Sequence, residues 1–299
     1  MADLDGDGIS DILTGSWPGE LYFFKGEGNG KYAASQTLKD VAGVPLKPGS
    51  ASTVFACDWN GDGKTDLLMG CIEGHVYLSL GEGKMAFGKP TQVTINGQPI
   101  TVGHGDSHPI LADWDRDGLL DLLVAGGDGS VLCYRNNGSK TAPHWAKAQT
   151  LVPPGKQQDE NKGEAKPGTR AKICVYDWNG DGWPDLLLGD FGMVMGEKPK
   201  MTAEDIKKEK EAREKMAKFQ EEMQPLYQEM MKYSQAPKGE AKEAAAERQK
   251  QLQEVQKKIS ARDKEMMPLW QALSKFQPSY TYRGNVWVFE RIPPATGRR

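Results

Sequence analysis

The chain has 299 residues, with 41 acidic and 38 basic side chains for a formal charge of −3, and 35 glycines. That balance leaves no global basic field to hold nucleic acid, and no stretch is apolar and long enough to span a membrane. The length can bury a sizeable core, and the glycine content suits an architecture of many tight turns.

The first element is the nine residues DLDGDGISD, Asp3 to Asp11. The pattern returns as DWNGDGKTD at Asp58 to Asp66, DWDRDGLLD at Asp113 to Asp121 and DWNGDGWPD at Asp177 to Asp185. Oxygen-bearing side chains stand at positions 1, 3, 5 and 9. They are Asp3, Asp5, Asp7 and Asp11; Asp58, Asn60, Asp62 and Asp66; Asp113, Asp115, Asp117 and Asp121; and Asp177, Asn179, Asp181 and Asp185. Alternate side chains of a tight turn can converge on one centre, which suits a hard, oxygen-seeking cation such as Ca²⁺. Position 7 (Ile9, Lys64, Leu119, Trp183) can add its backbone carbonyl whatever its side chain, so up to four Ca²⁺ ions are expected. Gly8, Gly63, Gly118 and Gly182 hold position 6, where a sharp turn favours positive φ.

Two departures refine the expectation. Arg116 replaces glycine at position 4 of the third loop and predicts a somewhat different turn there. Asn60 and Asn179 remove one negative charge each, which predicts weaker calcium binding in the second and fourth loops. Solvated acidic turns are the competing reading, because Asp, Asn and Gly favour turns anyway; four copies in one register argue against it.

An EF-hand would continue to glutamate at position 12, but these loops have Thr14, Met69, Val124 and Leu188 there. Each loop instead enters an apolar run (DILTG, DLLMG, DLLVAG, DLLLG), then a glycine-containing turn and an alternating segment: ELYFFKG, HVYLSLG, SVLCYRN and NVWVFER. A β-rich run precedes three of the loops, and the first loop lacks one. The strand counts are three, four, four and three, and we expect a leader and at least one further strand upstream of Met1. Loop starts lie 55, 55 and 64 residues apart, about one four-stranded module each, the longer interval holding the polar segment PPGKQQDENKGEAKPG. The expected fold is mainly β, a β-propeller of four visible blade repeats.

These loops and their flanks resemble the FG-GAP or VCBS repeat family, over residues 1 to 195 and 283 to 292. The resemblance implies calcium-stabilised, integrin-alpha-like propellers used in adhesion, ligand display or carbohydrate contact, mostly outside the cytoplasm. It does not imply one activity.

Residues 202–276 have another character, rich in helix formers and mixed charge. They predict an antiparallel helical hairpin inserted in the last blade, between propeller residues 1–201 and a return strand and tail at 277–299. Thr202 with Asp205 approximates a capping box, and QAPKGE makes the turn. Two stripes should face each other: Ile206, Met216, Phe219, Met223, Leu226, Met230 and Tyr233 against Leu252, Val255, Ile259, Met266, Leu269, Leu273 and Phe276. Pro225 and Pro268 should each kink or break its helix. The stripe is first of all a hairpin core, and an arm for a partner or for self-association is the second reading.

Cys57, Cys71, Cys133 and Cys174 lack C-x-x-C spacing and read as buried free thiols, with disulfides open to a secreted chain. His104 and His108 flank Asp106, more simply a loop than a transition-metal site. Trp59, Trp114 and Trp178 share loop position 2 and predict packing between adjacent blades. No nucleophile elbow, zincin helix or phosphate loop occurs. The leading expectation is a non-catalytic, calcium-stabilised scaffold for extracellular protein or glycan binding, secreted, periplasmic or at the cell surface. The alternative is a polysaccharide-acting enzyme with its site in a central cleft.

Overall fold

A computed structural model of the chain describes residues 2–155, 167–234 and 242–292. The expected hairpin turn at QAPKGE and most of the PPGKQQDENKGEAKPG segment lie outside these residues. The chain divides into two units, residues 1–194 with 282–299, and residues 195–281.

In the first unit each repeat forms its own antiparallel sheet, with strands in chain order. The first pairs Ile12–Thr14 with Tyr22–Phe24 and that with Gln36–Thr37. Thr53–Cys57, Asp66–Gly70, Val76–Ser79 and Thr91–Gln92 make the second. His108–Ala112, Asp121–Ala125, Val131–Tyr134 and Gln149–Val152 make the third. In the fourth, Asp185–Met195 pairs with Thr169–Tyr176 on one side and with Val286–Phe289 on the other. One further segment, Tyr280–Arg283, joins this sheet beyond the three strands expected. The central strand runs on to Met195, and its added backbone groups need partners.

Each loop starts where its first strand ends. The pairs Cys57↔Asp66, Ala112↔Asp121 and Tyr176↔Asp185 close three loop bases. In the first repeat the isolated bridge Ala2↔Asp11 does the same without a preceding strand.

Side chains alternate faces along a strand, and this joins the sheets. Position 11 points toward the following sheet, while positions 10 and 12 point toward the preceding one. Leu13 therefore meets Leu67 and Met69; Leu68 meets Leu122 and Val124; Leu123 meets Leu186 and Leu188. Three apolar layers result, each shared by two consecutive sheets. Loop position 2 belongs to the same layers through Leu4, Trp59 and Trp114.

The fourth sheet ends the series. Among the described residues no sheet covers its outer face, so no closed ring forms. Leu187, at position 11, is half-buried, and Trp178 is 58% exposed, contrary to the expectation that all three tryptophans pack between sheets. Cys174 is exposed for the same reason and is not the buried thiol expected; the structure holds Cys57, Cys71 and Cys133 as free thiols too.

The second unit is a pair of helices, α1 (Ala203–Ser234) and α2 (Lys242–Ser274). Phe219, Met223, Val255 and Ile259 form one buried cluster, and Ala212, Met216 and Leu273 another. Thr202 and Asp205 form the reciprocal cap: Asp205 N–H donates to Thr202 Oγ1 at 3.2 Å, and Thr202 N–H to Asp205 Oδ2 at 3.0 Å. Two expectations need correction. Pro225 and Pro268 do not break their helices, both of which continue through the proline. Ile206 is exposed, since it lies toward the start of α1, beyond the point where Leu273 near the end of α2 reaches Ala212 and Met216. No described helix is long and apolar enough to cross a membrane.

Candidate metal centres

The four loops share one backbone design, which the side chains enforce. Position 1 accepts from the position-6 amide through Oδ2: Gly8 to Asp3 at 2.9 Å, Gly63 to Asp58 at 3.0 Å, Gly118 to Asp113 at 3.1 Å and Gly182 to Asp177 at 2.9 Å. Position 3 accepts from the position-5 amide whether it is Asp or Asn, at 3.2 Å for Asp5, 3.1 Å for Asn60, 3.3 Å for Asp115 and 2.9 Å for Asn179. Position 5 accepts from position 7: Ile9 N–H to Asp7, Lys64 to Asp62, Leu119 to Asp117 and Trp183 to Asp181. The chain thus winds around its own carboxylates.

Position 6 is glycine with φ between +78° and +87° in all four loops. Where Oδ1 of Asp3, Asp58 and Asp177 accepts a position-4 or position-5 amide, Asp113 Oδ1 accepts none, so the third loop differs in its hydrogen bonds, while the backbone angle is kept by Arg116. Arg116 takes φ +66°, close to the +71°, +70° and +76° of Gly6, Gly61 and Gly180, and so bears the left-handed strain that glycine avoids. Its guanidinium rests over the Trp183 ring at 4.9 Å.

Position 9 does more than ligand chemistry requires. Asp11, Asp66, Asp121 and Asp185 are all buried. One oxygen accepts the position-2 amide and the other an amide at the end of the third strand: Leu4 and Gly26 for Asp11, Trp59 and Gly81 for Asp66, Trp114 and Asn136 for Asp121, Trp178 and Arg291 for Asp185. Burial pushes the Asp66 and Asp121 carboxyls upward despite these bonds. At Asp185, beside the uncovered face, the Arg291 amide prevails and the carboxyl is lowered.

In the first and third loops three carboxylates converge. Oxygens of Asp3, Asp5 and Asp11 lie within 4.8 Å of one another, as do those of Asp113, Asp115 and Asp117. That span matches oxygens placed about 2.3–2.6 Å from one Ca²⁺. Asp113 Oδ1 is buried without a hydrogen-bond partner, as an oxygen reserved for a cation would be. The second and fourth loops have Asn60 and Asn179 at position 3, whose amide oxygens accept the position-5 amides.

Two cations that loop spacing does not announce reach these sites. Lys25 Nζ pairs with Asp5 and, at 2.5 Å, with Asp7, whose carboxyl it lowers. Arg135 pairs with Asp115 and, at 3.0 Å, with Asp121. Each stands fourteen residues after its position-9 Asp, the one sequence signal that could have found them.

Other candidate residues settle into structural work. Asp106 pairs with Lys172 at 2.9 Å, and His108 Nδ1 accepts the Ile173 amide at 3.2 Å, so GHGDSH assembles no metal centre among the described residues. Between the second and third loops a cleft of about 300 Å³ is lined by Trp59, Trp145, Leu111, Asn136 and Lys140, with Asp58 and Asp113 at its loops. The two tryptophan rings are tilted by 53° at 5.0 Å.

Comparison with known proteins agrees with this geometry. A model of the FG-GAP-like repeat matches residues 3–69, 58–124 and 113–188. Human integrin alpha-IIb is 30% identical over 179 residues, covering 52% of this chain. The match takes in 16% of that protein, so the chain spans a small part of its relative's length.

Proposed function

Since the chain belongs to the FG-GAP-like repeat family, we propose that it is a non-catalytic, calcium-stabilised propeller scaffold that binds an extracellular protein or glycan. The observation that carries the calcium part is Asp113 Oδ1, buried and unpartnered beside Asp115 and Asp117. A bound Ca²⁺ would supply positive charge at the centre of each loop, offsetting repulsion among its carboxylates. The chain's part is to hold those oxygens in place through the amides of positions 5, 6 and 7 before any ion arrives.

The cleft supports binding over catalysis. Its acids come from the loops, and its remaining lining offers aromatic faces, an amide and an ammonium, which suits stacking and hydrogen bonding to a sugar. The polysaccharide-acting enzyme is the second reading; it needs acids outside the loops, and the cleft shows none among its lining residues. A secreted, periplasmic or cell-surface location is part of the proposal and follows the family. Exposed Tyr227, Met231, Met267 and Trp270 on the helical hairpin leave an arm for a partner or for self-association as the minor reading.

Thermal melts with calcium and with chelator test the calcium part, because a ligand held by the folded state alone raises its melting temperature. Equal melts at all calcium levels would remove it. A glycan and surface-protein binding screen, repeated with Trp145→Ala, tests the cleft.

A further inference from the structure

The residue that precedes the third-strand amide bound to position 9 differs among the repeats. It is Lys25 before Gly26, Leu80 before Gly81, Arg135 before Asn136 and Glu290 before Arg291. In the first and third repeats the side chain at this place reaches over the loop. From there Lys25 and Arg135 reach two carboxylates each: Asp5 and Asp7, and Asp115 and Asp121. Leu80 is 44% exposed and brings no charge, and Glu290 brings a negative one.

We propose that Lys25 and Arg135 are tethered counter-cations that compete with a divalent ion for the first and third loops, so that the second and fourth loops fill with calcium first. The inference rests on the calcium reading above. It reverses the ranking by carboxylate count, which makes the Asn60 and Asn179 loops the weaker ones. One of the four carboxylates of the first and third loops is matched by a built-in positive charge, which leaves these loops the same net charge as the three-carboxylate loops and places a cation where an ion would enter. A Ca²⁺ entering them must displace that ammonium or guanidinium or sit a few ångströms from it. Even at the dielectric of water, this proximity to a divalent ion weakens binding by about tenfold, which cancels the gain from the extra carboxylate, and breaking the ion pairs to admit the metal weakens it further.

The other cations near the loops do not occupy them in this way. Lys64 Nζ reaches Asp62 alone, at 3.4 Å, from an exposed side chain. Arg116 and Arg291 lie over the Trp183 ring faces at 4.9 and 5.0 Å and form no ion pair with the fourth loop's carboxylates. Lys84 Nζ meets the Gly6 carbonyl at 3.4 Å, on the outside of the first loop.

Calcium titration of the metal-stripped chain by calorimetry, with native mass spectrometry to count ions, reads this out. The wild type should take up two ions more tightly than two others. K25M should add one tight site, R135M another, and L80K should remove one. L80K places a charge on an exposed position, so it tests the idea even where K25M folds poorly. In chelator K25M should melt below the wild type, because Asp3, Asp5, Asp7 and Asp11 lose their counter-charge, and calcium should restore it. Wild-type ion binding left unchanged by K25M, R135M and L80K would overturn the inference while leaving the calcium reading intact. Absence of ion binding in the wild type and every variant would overturn both.

Discussion

At the scale of single residues, the same aspartate type performs two kinds of work in one loop. Positions 1, 3 and 5 set the turn, and in the third loop their oxygens also lie within 4.8 Å of one another. Position 9 is a clamp between loop and sheet, and Asp66→Ala would strand the Trp59 and Gly81 amides. We expect it to cost about 1–3 kcal/mol for each unpaired group, measured by denaturant unfolding in chelator so that metal loss does not contribute. His108 gives the residue scale a pH dependence. Loss of water around its half-buried ring, with Lys172 adding to the effect and Asp106 opposing it, lowers its pKa to about 4. An unfolded histidine titrates near 6.5, so between that value and about 4 the unfolded chain binds the extra proton. The contribution to stability is complete above about pH 6.5 and is lost as pH falls toward 4. His108→Gln, whose amide oxygen can accept the Ile173 N–H, should flatten the difference in stability between pH 7 and pH 4.5. Equal slopes for wild type and variant would contradict this.

At the scale of elements, alternation decides what each leucine of the DLL motif is worth. Leu68 and Leu123 at position 11 are fully buried between sheets, whereas the equivalent Leu187 is half-buried on the uncovered face. Leu123→Ala should cost about 2–5 kcal/mol and Leu187→Ala under about 1 kcal/mol, by urea unfolding of the two variants side by side. Position 11 is leucine in all four repeats, and the neighbour sets the energy. The helices teach a related lesson. Pro225 and Pro268 read as kinks or breaks from local rules, yet neither ends its helix, and Met223 and Ile259 are buried in the cluster the two helices share. The capping pair Thr202 and Asp205, which depends on three residues of spacing, was legible in advance.

At the scale of the whole molecule, the four-sheet unit and the helical unit keep separate cores. Among the described residues, the helical unit has its own two buried clusters and the sheets have three. Replacing residues 202–276 with a short glycine turn should therefore leave the four-sheet unit folded, with its calcium-dependent melting shift unchanged. A collapse of that shift on deletion, seen by calorimetric scanning, would show that the sheets depend on the hairpin.

The loops, their period, the sheet order they mark and the inserted helices were all readable from the amino-acid sequence. Each rests on a local code: turn chemistry within nine residues, alternation along a strand, or a three- to four-residue helical step. What only the tertiary structure decided lies between residues distant along the chain. The position-9 carboxylates find amides on the third strand, and Lys25 and Arg135 arrive over loops that begin more than twenty residues earlier. Trp178, Cys174 and Leu187 lie on a face that no described sheet covers. Spacing can count the oxygens around a cation, but the field at that point also includes charges brought in by folding, and those depend on where the strands end in space.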